Sequence, residues 1–303
     1  MTRQRTVGFV DLPQSPAELG VRLDAVDYLA DEGLATAAFL ALRMGRPLFV
    51  EGEAGVGKTA LAQALADALQ VALIRLQCYE GLDAAQALYD WDFPRQLLHL
   101  RAAEAVGISD AEQLERELYD RRFLLARPLL QAVETSTAGH PAVLLIDEVD
   151  RADDEFEAFL LEVLSDFTVS VPEIGTIRAE HPPVVVVTSN RTREVHDALK
   201  RRCLYHWLDH PDFDREIAVI RRRIPGADDG LVKDVAGAAQ ALRGMDLVKP
   251  PGLAESIDWA AALATLGARE LDLDLAARTL GAAVKYREDQ ERVLAMAAER
   301  WLS

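Results

Sequence analysis

The chain has 303 residues, half of them hydrophobic, enough for one large domain or two smaller ones around a substantial core. No apolar run reaches the about 18 residues that a membrane-spanning helix needs. Against 33 Lys and Arg stand 50 Asp and Glu, and the formal charge of −17 repels phosphate backbones, so protein partners are expected rather than nucleic acid.

Residues 1–20 carry Pro13 and Pro16 with little periodicity and read as an irregular lead-in. Their basic start, Met1 to Arg5, is followed by no long apolar segment, so no signal peptide is expected. Cys78 and Cys203 lack C-x-x-C spacing and read as reduced thiols of a cytoplasmic protein. The histidines show no zinc-ligand spacing: His206 and His210 are four apart, but Pro211 follows and an apolar run precedes. From Val21 to Met44 the pattern is helical, broken at Gly33, and Gly45-Arg46-Pro47 stops it.

Pro47 to Val50 is a short apolar run that reads as a buried strand. It leads into Gly52-Glu53-Ala54-Gly55-Val56-Gly57-Lys58-Thr59, which fits G-x-x-x-x-G-K-[ST], the phosphate-cradling loop. A helix follows through Ala60, with Leu61, Leu65 and Leu69 on one stripe. The motif therefore sits between a strand and a helix, as its chemistry requires. Glycines let the backbone turn its N–H groups inward around a phosphate, and the helix N-terminus adds positive dipole there. In that setting Lys58 reaches the β- and γ-phosphates of ATP and the Thr59 hydroxyl ligates Mg²⁺.

Val71 to Leu76 reads as a second buried strand. Between Tyr79 and Val106 a helix beginning near Asp83 is interrupted by Tyr89-Asp90-Trp91-Asp92-Phe93-Pro94 and resumes at Gln96. The interruption is either a packed corner or a loop exposed to a partner or a pore. Asp110 to Thr137 reads as a long helical region broken at Pro128. Ala142 to Ile146 is a third buried strand, ending in Asp147-Glu148, and a helix follows from Arg151 to Phe167. Thr168–Val171 and Thr176–Ala179 flank Pro172-Glu173-Ile174-Gly175 and read as a hairpin. Val184 to Thr188 is the fourth strand and Cys203 to Trp207 the fifth. After Pro211 the strands stop and helices continue to the end. The expected organisation is an α/β nucleotide-binding domain at 21–210 and a small all-helical domain at 211–303.

Open α/β sheets place ligands at the carboxyl ends of their strands, and four groups of residues converge there. The first is the phosphate loop. In the second, Asp147 can hold Mg²⁺, and Glu148 can orient a water in line with the γ-phosphate and accept its proton. Two carboxylates ending a buried strand are costly unless paired or metal-bound. Asp150 and Asp153-Asp154-Glu155 read instead as helix-entry acids. The third is Asn190, whose amide can position the water or sense the γ-phosphate. The fourth is Arg201-Arg202, a source of the guanidinium that transition-state charge needs, often supplied by a neighbouring molecule.

This order of motifs resembles the AAA+ ATPases, and the fuller string resembles the MoxR family. The marks are Gly52–Thr59, Cys78-Tyr79-Glu80-Gly81, Leu145-Ile146-Asp147-Glu148, the hairpin at 168–179, Thr188-Ser189-Asn190 and Ala198 to Cys203. Tyr89 to Leu98 and Lys249-Pro250-Pro251 look like the branch associated with maturation of carbon monoxide dehydrogenase and similar molybdenum enzymes. The resemblance implies a five-stranded parallel sheet between helices with a helical lid. It also implies a hexameric ring with ATP between subunits, a partner with a von Willebrand A domain, and a chaperone-like role in assembling metalloenzymes. Residues 79–106 would be the helix-2 insert, 168–179 the pre-sensor-1 hairpin and Asn190 sensor 1. By the family's Asp-Arg-Phe pattern Arg202 is the better finger and Arg201 the reserve. Many relatives carry a sensor-2 arginine in the lid. Here Pro251 to Ser256 supplies none, and Lys249 and Arg243 are the nearest cations.

Three other readings remain open: a slowly hydrolysing ATP-binding switch or scaffold, a small-molecule phosphotransferase, and a DNA-dependent motor, which the acidic charge disfavours.

Overall fold

A computed structural model describes residues 11–105, 110–137 and 139–302, so the basic start of the chain lies outside the described residues. Helix α1 (Pro16–Asp24) begins inside the stretch expected to be irregular, because Ser15 caps its N-terminus and Pro16 stands in its first turn, where the missing N–H costs nothing. The next helix, α2 (Glu32–Met44), contains Gly33. The break falls instead at residues 25–31, where Asp27 takes a left-handed conformation and Asp31 caps α2 through the Leu34 N–H.

Strand β1 (Leu48–Glu51) runs into the phosphate loop and α3 (Lys58–Leu69), followed by β2 (Leu73–Gln77). Beyond it lie α4 (Ala84–Leu88), β3 (Tyr89–Trp91), α5 (Phe93–Ala105), α6 (Ala111–Leu118), β4 (Leu124–Ala126) and α7 (Pro128–Thr135). The aromatic interruption at 89–94 thus contains a strand, which pairs antiparallel with β4 inside the region expected to be helical throughout. Pro128 starts α7 rather than breaking a helix. Then come β5 (Val143–Asp147), α8 (Asp154–Asp166), the hairpin β6 (Thr168–Val171) and β7 (Gly175–Arg178), β8 (Val184–Ser189), α9 (Asp197–Arg202) and β9 (Leu204–Trp207).

The main sheet has the order β2-β5-β8-β1-β9, and every neighbouring pair is parallel. Its inner strands are buried on both faces, which is why they read as unbroken apolar runs. Alternation divides them between two cores. Leu144, Ile146, Val185 and Val187 pack with α7 and α8 on one face. Leu48, Val50, Val143, Leu145 and Val186 pack with α1, α2 and α3 on the other. Contrary to expectation, β2 is a half-exposed edge strand. The β3–β4 pair and the β6–β7 hairpin share a small core of their own, built on Trp91, Phe123, Leu124, Val169 and Val171.

From Phe213 onward the chain is helical: α10 (Phe213–Arg223), α11 (Asp229–Arg243), α12 (Leu253–Thr265), α13 (Leu273–Thr279) and α14 (Arg287–Leu302). Leu231, Val235, Ala239 and Leu242 on α11 are all buried, and the first, second and last of them join Trp259 in a third core. The Trp259 indole N–H donates to the Thr279 hydroxyl at 2.8 Å.

Candidate functional site

The phosphate loop leaves β1 at Gly52 and ends at Gly57, whose φ of 102° is a conformation that side chains other than glycine's rarely adopt. A Cβ built there would meet nothing within 4 Å, so conformation and not space calls for glycine. Lys58 is buried, and its ammonium donates to the carbonyls of Gly52 at 2.8 Å and Glu53 at 2.6 Å. Burial lowers the Lys58 pKa below the ordinary lysine range, while Asp150, Asp147, Glu148 and Glu53 oppose that shift. The loop's outer side is braced where Glu53 meets His210 Nε2 at 2.9 Å.

Asp147 closes β5 with its carboxylate buried. It accepts the Thr188 hydroxyl at 2.6 Å and the Thr59 hydroxyl at 3.0 Å. It also pairs with the Arg75 guanidinium from the neighbouring strand β2 at 2.6 Å. A hydroxyl and one carboxylate, with the rest of the shell left to phosphate and water oxygens, is a donor set that suits Mg²⁺. Thr59 and Asp147 are therefore the residues that would hold it.

Glu148 follows in a left-handed conformation, φ 54°, its N–H given to Thr188 Oγ1 at 2.9 Å. One carboxylate oxygen accepts the Asn190 side-chain N–H at 3.0 Å. The other accepts the Gln77 amide at 3.1 Å and Arg151 Nε at 2.9 Å. Asn190 thus stands beside Glu148 at the end of β8, next to β5 in the sheet. Asp150 does not serve helix entry as the run of acids suggests. It is buried, and it accepts hydrogen bonds from Asn190 and Thr192.

Arg201 and Arg202 lie in the last turn of α9, and neither is among the described partners of Glu148. Arg202 Nη1 donates to the Leu161 carbonyl on α8 at 2.7 Å. The Arg201 side chain is 82% exposed, and its only described ionic neighbour is Asp197 at 3.9 Å. Arg46 donates to the carbonyls of Arg201, Arg202 and Cys203 and so fixes the end of this helix.

The lid reaches the loop through backbone. The Ala254 N–H of α12 donates to the Gly55 carbonyl at 3.2 Å. A Cβ on Gly252 would fall 2.7 Å from the Ala54 carbonyl, so only glycine allows this approach. Arg243 is committed elsewhere: it forms two 2.7 Å bonds to the buried Glu216 carboxylate and donates to Pro251 O and Ser256 Oγ. Between the loop and the lid lies a cavity of about 290 Å³, walled by Tyr28, Val56, Leu208, Val219 and Ile257.

Arg75, Gln77, Arg151, Thr188 and Gly252 acquire their places only in the fold. Arg75 and Gln77 do leave a trace in the sequence, as two polar residues alternating through the apolar run of β2. Arg151 is three residues from Glu148, but no local pattern fixes the turn that joins them.

The family model described as AAA domain (dynein-related subfamily) matches residues 47–203. Among curated proteins, the gas vesicle ATPase GvpN1 of Halobacterium salinarum is 24% identical over 211 residues, covering 67% of this chain. The chain spans 58% of that protein's length. Among solved structures, a RuvB mutant of Thermotoga maritima is 18% identical at a TM-score of 0.48, covering 89% of this chain and 73% of that one. The RuvB Holliday junction branch migration motor of the same organism is 15% identical at 0.45, covering 89% and 72%. With the phosphate loop, the Asp147-Glu148 pair and the five-stranded parallel sheet in place, the chain belongs to the dynein-related subfamily of AAA domains.

Proposed function

We propose that this ATPase is a MoxR-type remodeller that works as a hexameric ring, with its nucleotide site shared between neighbouring subunits. The observation that carries the reading is the setting of Glu148: its carboxylate lies between Asn190 and Gln77, one residue from the Asp147–Thr59 pair at the phosphate loop. The likeness to a protein described as a gas vesicle ATPase supports the hydrolytic part.

In this reading the triphosphate lies in the loop from Gly52 to Thr59, with Ala60 in the first turn of α3. Lys58 exchanges the carbonyls of Gly52 and Glu53 for phosphate oxygens. Thr59 and Asp147 hold Mg²⁺, which neutralises charge on the phosphates when bound. Glu148 takes the proton of the attacking water, and Asn190 keeps the Glu148 carboxylate in place. The base of ATP occupies the cavity beside Tyr28 and Ile257. Arg201, which stands clear of the surface, supplies the guanidinium to the neighbour's site, with Arg202 as the alternative.

Residues 21–210 then form the nucleotide domain and 211–303 the lid. A cytoplasmic location rests on the reading of Cys78 and Cys203 as reduced thiols, and a von Willebrand A domain partner and a metalloenzyme client rest on the family resemblance. The narrower likeness at Tyr89–Leu98 and Lys249–Pro251 points toward molybdenum-enzyme maturation.

A second reading, a slowly hydrolysing switch, is favoured by one observation: Arg243, one of the two cations nearest the place of sensor 2, is held by Glu216. Turnover measured with and without the native partner separates the two. For the leading reading, Glu148→Gln retains nucleotide binding and loses turnover by on the order of a hundredfold or more, the upper part of what a general base contributes. An undiminished rate in that variant refutes the assignment.

A further inference from the structure

Asp150 lies two residues beyond Glu148 and is 2% exposed. Among the described residues no Lys, Arg or His pairs with it as a salt bridge, so its carboxylate depends on hydrogen bonds, without which burial is costly. Three donors meet it, all from the turn after β8. Its Oδ1 accepts the Asn190 backbone N–H at 3.1 Å. Its Oδ2 accepts the Thr192 N–H at 2.8 Å and the Thr192 hydroxyl at 2.6 Å.

The two turns joined in this way are unusual. Each contains a non-glycine residue in the left-handed region: Glu148 at φ 54° in one, Arg191 at φ 59° in the other. Such conformations persist only where the surroundings over-determine them. One turn carries Glu148 and the other carries Asn190, whose amide lies 3.0 Å from the Glu148 carboxylate. Asp150 thus holds the backbone of Asn190 while the side chain of Asn190 holds Glu148.

We propose that Asp150 is the positioning residue of ATP hydrolysis: it fastens the Asn190 turn to the Glu148 turn and fixes the distance between the two side chains. It touches neither nucleotide nor water. The proposal rests on the reading of Glu148 as the base.

Asp150→Asn keeps the side-chain shape but turns an NH₂ group toward one of the N–H donors, so one side of the clasp breaks. Small misplacements of catalytic groups cost up to about a hundredfold in rate, and kcat is expected to fall by about ten- to a hundredfold. No hydrogen bond of the loop changes, although one charge supporting the Lys58 ammonium is lost, so the Kd of a fluorescent ATP analogue changes far less than kcat. Thr192→Val removes only the hydroxyl donor and gives a smaller loss in the same direction. It carries the test alone should Asp150→Asn fail to fold. In nucleotide-free protein with labelled asparagine, the Asn190 side-chain amide resonances, assigned by their loss in Asn190→Ala, move toward free-amide positions in Asp150→Asn.

The deciding measurement is the double variant. If Asp150 acts through Asn190, adding Asp150→Asn to Asn190→Ala costs little further kcat. Losses that multiply, an unchanged kcat in folded Asp150→Asn, or unmoved Asn190 resonances overturn the proposal. Turnover by Glu148→Gln at the native rate would instead refute the reading beneath it, independently of Asp150.

Discussion

Lys58 carries the largest electrostatic conflict at the site. Its ammonium is buried, and burial lowers its pKa even with four carboxylates nearby. Triphosphate binding adds negative charge and restores the charged form, so binding takes up protons wherever free Lys58 is partly neutral. The sign follows: a lowered pKa in the free protein means full ATP affinity below that pKa and weaker affinity as pH rises through it. Calorimetric titrations in two buffers of different ionisation enthalpy are expected to show proton uptake on the alkaline side. A pH-independent Kd with no uptake contradicts this. At the same scale, the meeting of Lys58, Thr59, Asp147 and Glu148 at one site could be expected from spacing, because the loop motif and a carboxylate pair after an apolar strand are local patterns. Asp150 could not. A run of acids before a helix looks the same whether one member caps the helix or folds back into the core, and only the β8 turn decides it.

Elements show the same division. Strands β5 and β8 are legible because burial on both faces leaves no polar residue until the strand ends. Strands β3 and β4 have three residues each, too few for alternation to show, and they form because Trp91 and Leu124 pack with the β6–β7 hairpin. The lid's attachment is also hidden in the sequence, since nothing local reveals that Gly252 meets Ala54. That contact makes a sharp prediction. Gly252 has φ −79°, which alanine adopts without strain, so Gly252→Ala acts through the clash alone. Overpacking of this kind costs about 1–3 kcal/mol. The lid is expected to draw back from the loop and weaken ATP binding by a corresponding factor, while the lid core around Trp259 stays folded. Nucleotide affinity by fluorescence, with thermal unfolding as control, checks this; unchanged affinity in a folded variant contradicts it.

In the whole molecule, Arg201 and Arg202 are exposed at the end of α9, and Arg46 fixes that end by binding three carbonyls. An exposed guanidinium whose described ionic neighbour is a distant one, Asp197 at 3.9 Å, suits a neighbour's γ-phosphate. Order along the sequence suggests this role, and the family's Asp-Arg-Phe pattern favours Arg202 for it. Both side chains are exposed, but Arg202 is tied to the Leu161 carbonyl, and that bond favours Arg201 instead. The central claim is a hydrolytic site completed by two subunits, and mixing tests it directly. Glu148→Gln and Arg201→Ala are each expected to hydrolyse ATP poorly alone. Mixed protomers restore turnover, because an intact Glu148 in one subunit meets an intact Arg201 from the next. Full activity of Arg201→Ala by itself, or no recovery at any mixing ratio with either Arg201→Ala or Arg202→Ala, would contradict the account.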